Sequence, residues 1–370
     1  MFGRVAGCVA LLALMPCLFA PSLFANAAST LAVTPPVRGL HLLTPKPADV
    51  PLLVRFIREA LPREGVNTLV LETDYHYQFK SHPEVVDPDA LSRDDVAAIV
   101  AAAKSAGVRV IPQINLLGHQ SWDKVTYGLL RSHPEFDETP GKYPSNAGIY
   151  CRSYCPLHPE VHKIVFDLID ELTEAFGADA FHAGMDEVFI LADEDCPRCR
   201  GHLAAELYAN EVTAIHDHLA QSHRQMWMWG DRLIDGAVSG TGKWEGSYNQ
   251  TSPAIVRIPR DIVIADWHYE SAVPGAAYFA MHGFNVLSCS WRNSDVALAQ
   301  LELIRTLRAH ANPEIANRVQ GLLHTTWGDP ADFIKAYFGE PPASQSVAES
   351  VQCFRTAFAR LRQDASSLSK

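Results

Sequence analysis

The chain has 370 residues, and its 42 acidic against 31 basic side chains give a formal net charge of −11. The cations are scattered, which argues against a nucleic-acid partner, because phosphate binding needs a concentrated positive footprint; polyanionic substrates are disfavoured on the same ground. Beyond the N-terminal region no run approaches the roughly 20 apolar residues of a membrane span, so no membrane partner is expected once that region is removed.

Residues 1–27 read as a secretory signal peptide. Arg4 is the early cation, an apolar stretch runs to Phe24, and Ala25-Asn26-Ala27 is a small-x-small cleavage site. Pro16 and Pro21 interrupt the stretch, which speaks against an uncleaved anchor. The remainder, 28–370, has no Gly/Ser linker or low-complexity tract and is expected to fold as one domain, exported to the periplasm or beyond the cell.

Within it, short apolar runs alternate with longer helical patterns. "VRGLHLL" at 37–43 reads as a strand, followed by a helix over 51–61 and a second strand, "TLVLE", at 68–72. A helix over 93–105 follows, with Ser92 as its cap and Gly107 as its stop. The order continues with a strand at 108–115, a helix over 160–176, a strand at 180–186, a helix over 203–222, and strands at 225–229, 261–266 and 284–290. A helix over 296–310, a strand at 319–326 and a helix over 347–364 complete it. Strand, crossover, strand, repeated in this way, predicts the α/β class and a closed parallel (β/α)8 TIM barrel. An open doubly wound sheet is disfavoured, because no Gly-rich phosphate loop follows the first strand.

Such barrels assemble their sites at the C-terminal strand ends. Asp186 and Glu187 stand side by side at the end of the fourth strand, where a core would tolerate neither acid unpaired. Trp229 and Asp231 close the fifth strand, Asp266, Trp267 and Tyr269 the sixth, Trp291 the seventh, and Trp327 and Asp329 the eighth. Indole faces stack on sugar rings and carboxylates accept hydrogen bonds from hydroxyls, so this rim points to carbohydrate. His119 follows the third strand, and His182 lies on the fourth with the parity of Asp186, either bracing the site or sitting as a hydrogen-bonded core histidine.

Cys8 and Cys17 would leave with the signal peptide. Four other cysteines form Cys151-x3-Cys155 and Cys196-x2-Cys199, a spacing open to zinc or to disulfides. Export favours disulfides, so no metal is assigned, and a structural link between the loop before the third long helix and the loop after strand four is expected. Cys289 and Cys353 read as buried free thiols.

"FHAGMDEV" resembles the HxGGDE signature of the family 20 glycoside hydrolases, the β-N-acetylhexosaminidases. "RGLHLL", "IPQINLLGHQS", "MWMWGDRL" and "LLHTTWGD" are similar to that family's first, third, fifth and last strand segments. The resemblance implies an oligosaccharide or glycoconjugate substrate ending in an N-acetylhexosamine, no cofactor, and exo-acting hydrolysis with retention. In that chemistry the 2-acetamido oxygen of the substrate, not an enzyme carboxylate, attacks the anomeric carbon. It further implies that Arg38 grips sugar hydroxyls, that His119 belongs to the site, that Glu187 is the general acid and then base, and that Asp186 holds the acetamido N–H.

Several positions depart from the family pattern. Met185 stands at the second glycine, where it is expected to crowd the pair, and Asp329 stands where Glu is usual. The family's strand-seven Tyr is not evident, leaving Tyr269 as a substitute, and the small domain that precedes the family's barrel is not expected. Two rivals follow: a two-carboxylate glycosidase with Asp266 or Asp329 as nucleophile, and a carbohydrate-binding barrel without turnover.

Overall fold

The computed structural model of the protein describes residues 35–367, together with Met1 and Gly3. The chain divides into two units, Met1–Thr30 and Leu31–Lys370, and the barrel belongs wholly to the second. The predicted signal peptide and its cleavage site lie outside the described residues.

Parallel strands β1 (Val37–Leu43), β2 (Thr68–Glu72), β3 (Arg109–Leu116), β4 (Ala180–Gly184), β5 (Gln225–Trp229), β6 (Val263–Trp267), β7 (Asn285–Ser290) and β8 (Val319–His324) pair in sequence order, and β8 closes on β1. Both strand faces are buried. One parity, including Val70, Ile111, Ala180, Trp229, Ala265, Leu287 and Leu323, fills the barrel interior. The other, including Leu69, Leu71, Val110, Phe181 and Ile264, packs under the helices. This two-sided burial explains why the strands read as apolar runs and not as alternating ones.

The helix Arg93–Ala106 opens with a reciprocal Ser92–Asp95 capping box and stops at Gly107, whose φ is +67°. Val161–Phe176, Ala204–Gln221, Ser294–His310 and Gln345–Ser367 occupy the other long predicted positions. Two shorter helices, Gly275–Met281 and Pro330–Tyr337, carry too few turns to show a period in the sequence. Between β5 and β6 there is no long helix, only the single turns Asp231–Leu233, Gly236–Ser239 and Ser252–Val256. No helix among the described residues is long and apolar enough to cross a membrane.

The long β5–β6 loop is pinned by a charge cluster. His268, 1% exposed, sits between Glu245 (Nδ1 to Oε2, 2.7 Å) and Asp266 (Nε2 to Oδ1, 3.0 Å). Burial opposes the imidazolium, but Asp266 and Glu245 outweigh it and raise the pKa to about 10. A raised histidine pKa stabilises the fold fully below the unfolded value of about 6.5, and that contribution is lost as pH rises through the folded one. His268→Asn should therefore lower Tm, and the gap from the wild type should narrow as pH climbs from about 6 towards about 10. A gap of the same size at both pH values would assign the loss to ring packing instead of charge.

Candidate active site

The end of β4 solves the geometric problem set by two adjacent acids. In an extended strand their side chains would point to opposite faces. Here Gly184, Met185 and Glu187 take positive φ values of +66°, +72° and +46°, so the chain curls as it leaves the sheet. Both carboxylates consequently meet His119, whose Nε2 lies 3.3 Å from Asp186 Oδ2 and 3.1 Å from Glu187 Oε2. Asp186 is 7% exposed and Glu187 8%. Glycine is required at 184 on two counts, since a Cβ there would also collide with the side chain and backbone of Asn115.

Met185 pays the left-handed penalty of about 1–2 kcal/mol for a non-glycine residue. Its side chain does not crowd the acids, contrary to expectation. It is fully buried in the outer core, and its carbonyl accepts a 2.8 Å hydrogen bond from Tyr208.

His119 is itself held in a positive-φ turn, at +52°. Burial disfavours its charge, but Asp186 and Glu187 outweigh that and hold its pKa well above the usual histidine value. The two carboxylates therefore favour the protonated ring. Near His119, burial and the Glu72 charge push the Asp74 carboxyl well up, against a 2.7 Å hydrogen bond from the Asn115 N–H.

Asp231 braces the pair from β5. Its Oδ2 accepts from the Glu187 N–H at 3.0 Å and from Arg232 Nε at 2.6 Å, while Oδ1 accepts from Trp267 Nε1 at 3.3 Å. Burial pushes this carboxyl up to about 6 in spite of Arg232. With both oxygens engaged, Asp231 positions Glu187 and Trp267; it is not the free sugar ligand that its place after β5 suggested.

The aromatic residues separate into a floor and a wall. Trp229 is fully buried within the barrel against His41, His182 and Trp327, with ring centroids 5.4, 4.5 and 5.7 Å away, so it is floor and not rim. Trp267 stacks on Tyr269 at 5.3 Å and 29°, and Trp291 meets the same ring edge-on at 5.4 Å. Trp327 Nε1 and Thr325 Oγ1 both donate to the Tyr269 hydroxyl, at 3.0 and 2.9 Å. These residues form one wall over the ends of β6 to β8.

Comparisons with known proteins bear on the family and the fold. The family model for glycosyl hydrolase family 20, catalytic domain, matches residues 65–294. The chain belongs to that family. A β-hexosaminidase of Emericella nidulans is 24% identical over 201 residues, covering 49% of this chain and 29% of that relative. A chitobiase of Flavobacterium johnsoniae superposes with a TM-score of 0.59 at 17% identity, covering 89% of this chain and 52% of that one. An exo-β-N-acetylglucosaminidase of Vibrio harveyi, solved with N-acetylglucosamine, gives 0.59 at 15% identity, covering 90% and 58%. The chain thus spans less than two thirds of the length of these relatives.

The family 20 match begins after β1 and ends before β8, and the residues expected there behave differently. Arg38 is a correction. It lies at the N-terminal end of β1 with outward parity, and its Nε donates to the Gly65 carbonyl at 2.7 Å, so it holds the far end of the barrel and cannot grip a sugar at this one. Asp329 is exposed and caps the helix Pro330–Tyr337 through the Ala331 N–H at 2.8 Å. It also edges a cavity of about 270 Å³ shared with Lys46, Glu72, Asp74 and Tyr127, beside the carboxylate pair but not containing it. His182 is fully buried and accepts from the Gly184 N–H at Nδ1 (3.1 Å). Burial and neighbouring His41 hold its pKa well below the usual value, so it is a neutral core histidine that also supports the β4 turn.

Asp266 is likewise turned away, held by His268. The four-cysteine link is corrected too. Cys155, Cys196 and Cys199 converge, but Cys151 stands apart with its Sγ 3.5 Å from the Glu187 carbonyl, and all six described cysteines are free buried thiols. Among the described residues two groups could hold a metal ion, with ligand atoms within 4.8 Å of one another: His119, Asp186 and Glu187, and Glu138, Cys155, Cys196 and Cys199.

Some of the site was not anticipated. His41 Nε2 lies 3.0 Å from Glu72 Oε2, which also accepts from Gln113 Nε2 at 2.7 Å, forming a polar layer above the floor. The inward parity of His41 and the acid ending "TLVLE" were the available signals. Tyr150 packs against Trp122, Phe189 and Trp244 from a long loop, and burial with the Glu187 charge raises its pKa. An irregular loop carries no periodicity that could have placed it.

Proposed function

We propose that this chain is a retaining, exo-acting glycoside hydrolase that removes terminal N-acetylhexosamine by substrate-assisted catalysis. The observation that carries the proposal is the state of Asp186: Oδ2 faces His119, whereas Oδ1 is buried with no hydrogen-bond partner. A buried carboxylate oxygen left unsatisfied is costly, and an acetamido N–H supplies the missing donor. Holding that N–H would place the acetamido oxygen beneath the anomeric carbon and offset the charge that develops on the cyclising group.

Glu187, the neighbouring acid, would protonate the departing oxygen and then activate water. The His119 imidazolium lies against Glu187 and would stabilise the carboxylate left once the proton has gone. Trp229 closes the barrel beneath the site, which suits a chain-end sugar better than an internal one, and the Trp267–Tyr269–Trp327 wall offers ring faces for stacking. The two-carboxylate alternative loses support, since Asp266 is paired with His268 and Asp329 is an exposed helix cap. We also infer export from the signal-like residues 1–27.

The test is a panel of aryl glycosides with and without the 2-acetamido group. Hydrolysis confined to the N-acetylated members is expected, and equal turnover of a plain aryl glucoside would rule the mechanism out.

A further inference from the structure

Outside the carboxylate pair, the most unusual chemistry in the molecule is the convergence of Cys155, Cys196, Cys199 and Glu138. All four side chains are buried, and Glu138 and the three thiols are each 0% exposed. Cys155 Sγ lies 3.4 Å from Cys199 Sγ and 3.6 Å from Cys196 Sγ. A zinc ion bonded to sulfur at about 2.3 Å in a tetrahedron sets its sulfurs about 3.8 Å apart, close to this spacing, whereas a disulfide needs about 2.05 Å. The sulfurs are thus gathered as a set of three, where a disulfide would take two and strand the third.

Glu138 supplies an independent sign of a cation ligand. Its Oε1 accepts from the Asp193 N–H at 3.2 Å, but Oε2 is buried beside the sulfurs with no hydrogen-bond partner. Among the described residues the only side-chain donors facing that buried carboxylate are the weak S–H groups of Cys196 and Cys199, which satisfy it far less well than a cation would. The Cys199 N–H donates to Cys196 Sγ at 3.3 Å, the kind of outer hydrogen bond that orients a thiolate ligand.

We propose that Glu138, Cys155, Cys196 and Cys199 form a closed structural zinc site. Three thiols would lose their protons to solvent on binding, and three sulfurs with one carboxylate oxygen would complete the tetrahedron, leaving no open position for catalysis. The site has a clear structural task. Glu138 and Cys155 come from the loop between β3 and the helix Val161–Phe176, and Cys196 and Cys199 from the loop after β4. Lys142 ties the same loops by ion pairs to Asp193 and Asp195, both at 2.9 Å. The first loop carries Tyr150 and Cys151 onto Glu187, so the metal would anchor the loops that wall the acid.

The measurement is the metal content of the full chain, purified without chelator or reductant from zinc-supplemented cells, by plasma mass spectrometry. Stoichiometric zinc is expected in the wild type and in Cys151→Ser, with loss in Cys199→Ser and weaker retention in Glu138→Gln. Should Cys199→Ser fail to fold, cobalt exchanged into the wild type provides the second readout, and thiolate-to-cobalt charge-transfer absorption is expected. Metal-free wild-type protein, a mapped disulfide between any two of the three cysteines, or loss of zinc in Cys151→Ser would each overturn the assignment. A chelator should lower the Tm of the loaded protein whatever substrate it acts on, so the outcome is independent of the glycosidase proposal.

Discussion

Replacing Glu187 by Gln should lower turnover of an unactivated N-acetylhexosamine disaccharide by about 10²- to 10⁴-fold, the usual worth of a positioned general acid. The substitution keeps the shape of the side chain and the Glu187 N–H bond to Asp231, so the loss should fall on kcat with little change in Tm. The size of the loss should depend on the leaving group. An aryl oxide with a low pKa departs without full protonation, so Glu187→Gln should come closest to wild type on nitrophenyl glycosides. Deglycosylation still needs a base to activate water, so even there the rate should not recover completely. A uniform loss on good and poor leaving groups would mean that Glu187 is not the proton donor.

The sequence made the barrel legible for a physical reason. Strands buried on both faces are continuous apolar runs of five to eight residues, and capping pairs such as Ser92–Asp95 mark where helices begin. The carboxylate pair was legible because two adjacent acids at the end of such a run have no core explanation. The β4 turn that aims both acids at one place was not, because three positive φ values in four residues, two of them at non-glycines, leave no compositional trace.

Roles within the site depended on parity. Residues at strand ends were expected on the rim, yet Trp229 has inward parity and sinks to the floor, while Arg38 has outward parity at the opposite end. Inward parity on β1 belongs to Gly39 and His41: a Cβ at Gly39 would meet Leu323 of the inner layer, and the His41 ring lies against Trp229 and Trp327. Cys151 and Cys155 illustrate a further limit. Four residues apart in a loop, they end in different environments, one against the Glu187 carbonyl and one in the thiol cluster. Loop spacing alone does not fix which sulfurs meet.

Asp186→Asn should be the most discriminating change. Asn keeps the size and leaves an oxygen that can face an acetamido N–H, but it removes the negative charge and brings an amide donor into a site that already holds the His119 ring against the pair. If the acetamido oxygen is the nucleophile, positive charge develops on the cyclising group and the lost carboxylate can no longer offset it. Removing one preorganised electrostatic partner of a transition state typically costs about 10²- to 10³-fold. Binding of the ground-state sugar should change far less, because that charge is not yet present. A thiazoline resembling the cyclised intermediate should therefore lose affinity for Asp186→Asn roughly in step with kcat/KM, as expected of ligands that report late interactions. A two-carboxylate enzyme would behave otherwise: thiazoline would bind wild type and mutant alike, and a fluorosugar would leave an ester on another Asp or Glu. Recovery of that labelled peptide from the wild type would displace Asp186 from its assigned role, however slow the mutant proved to be.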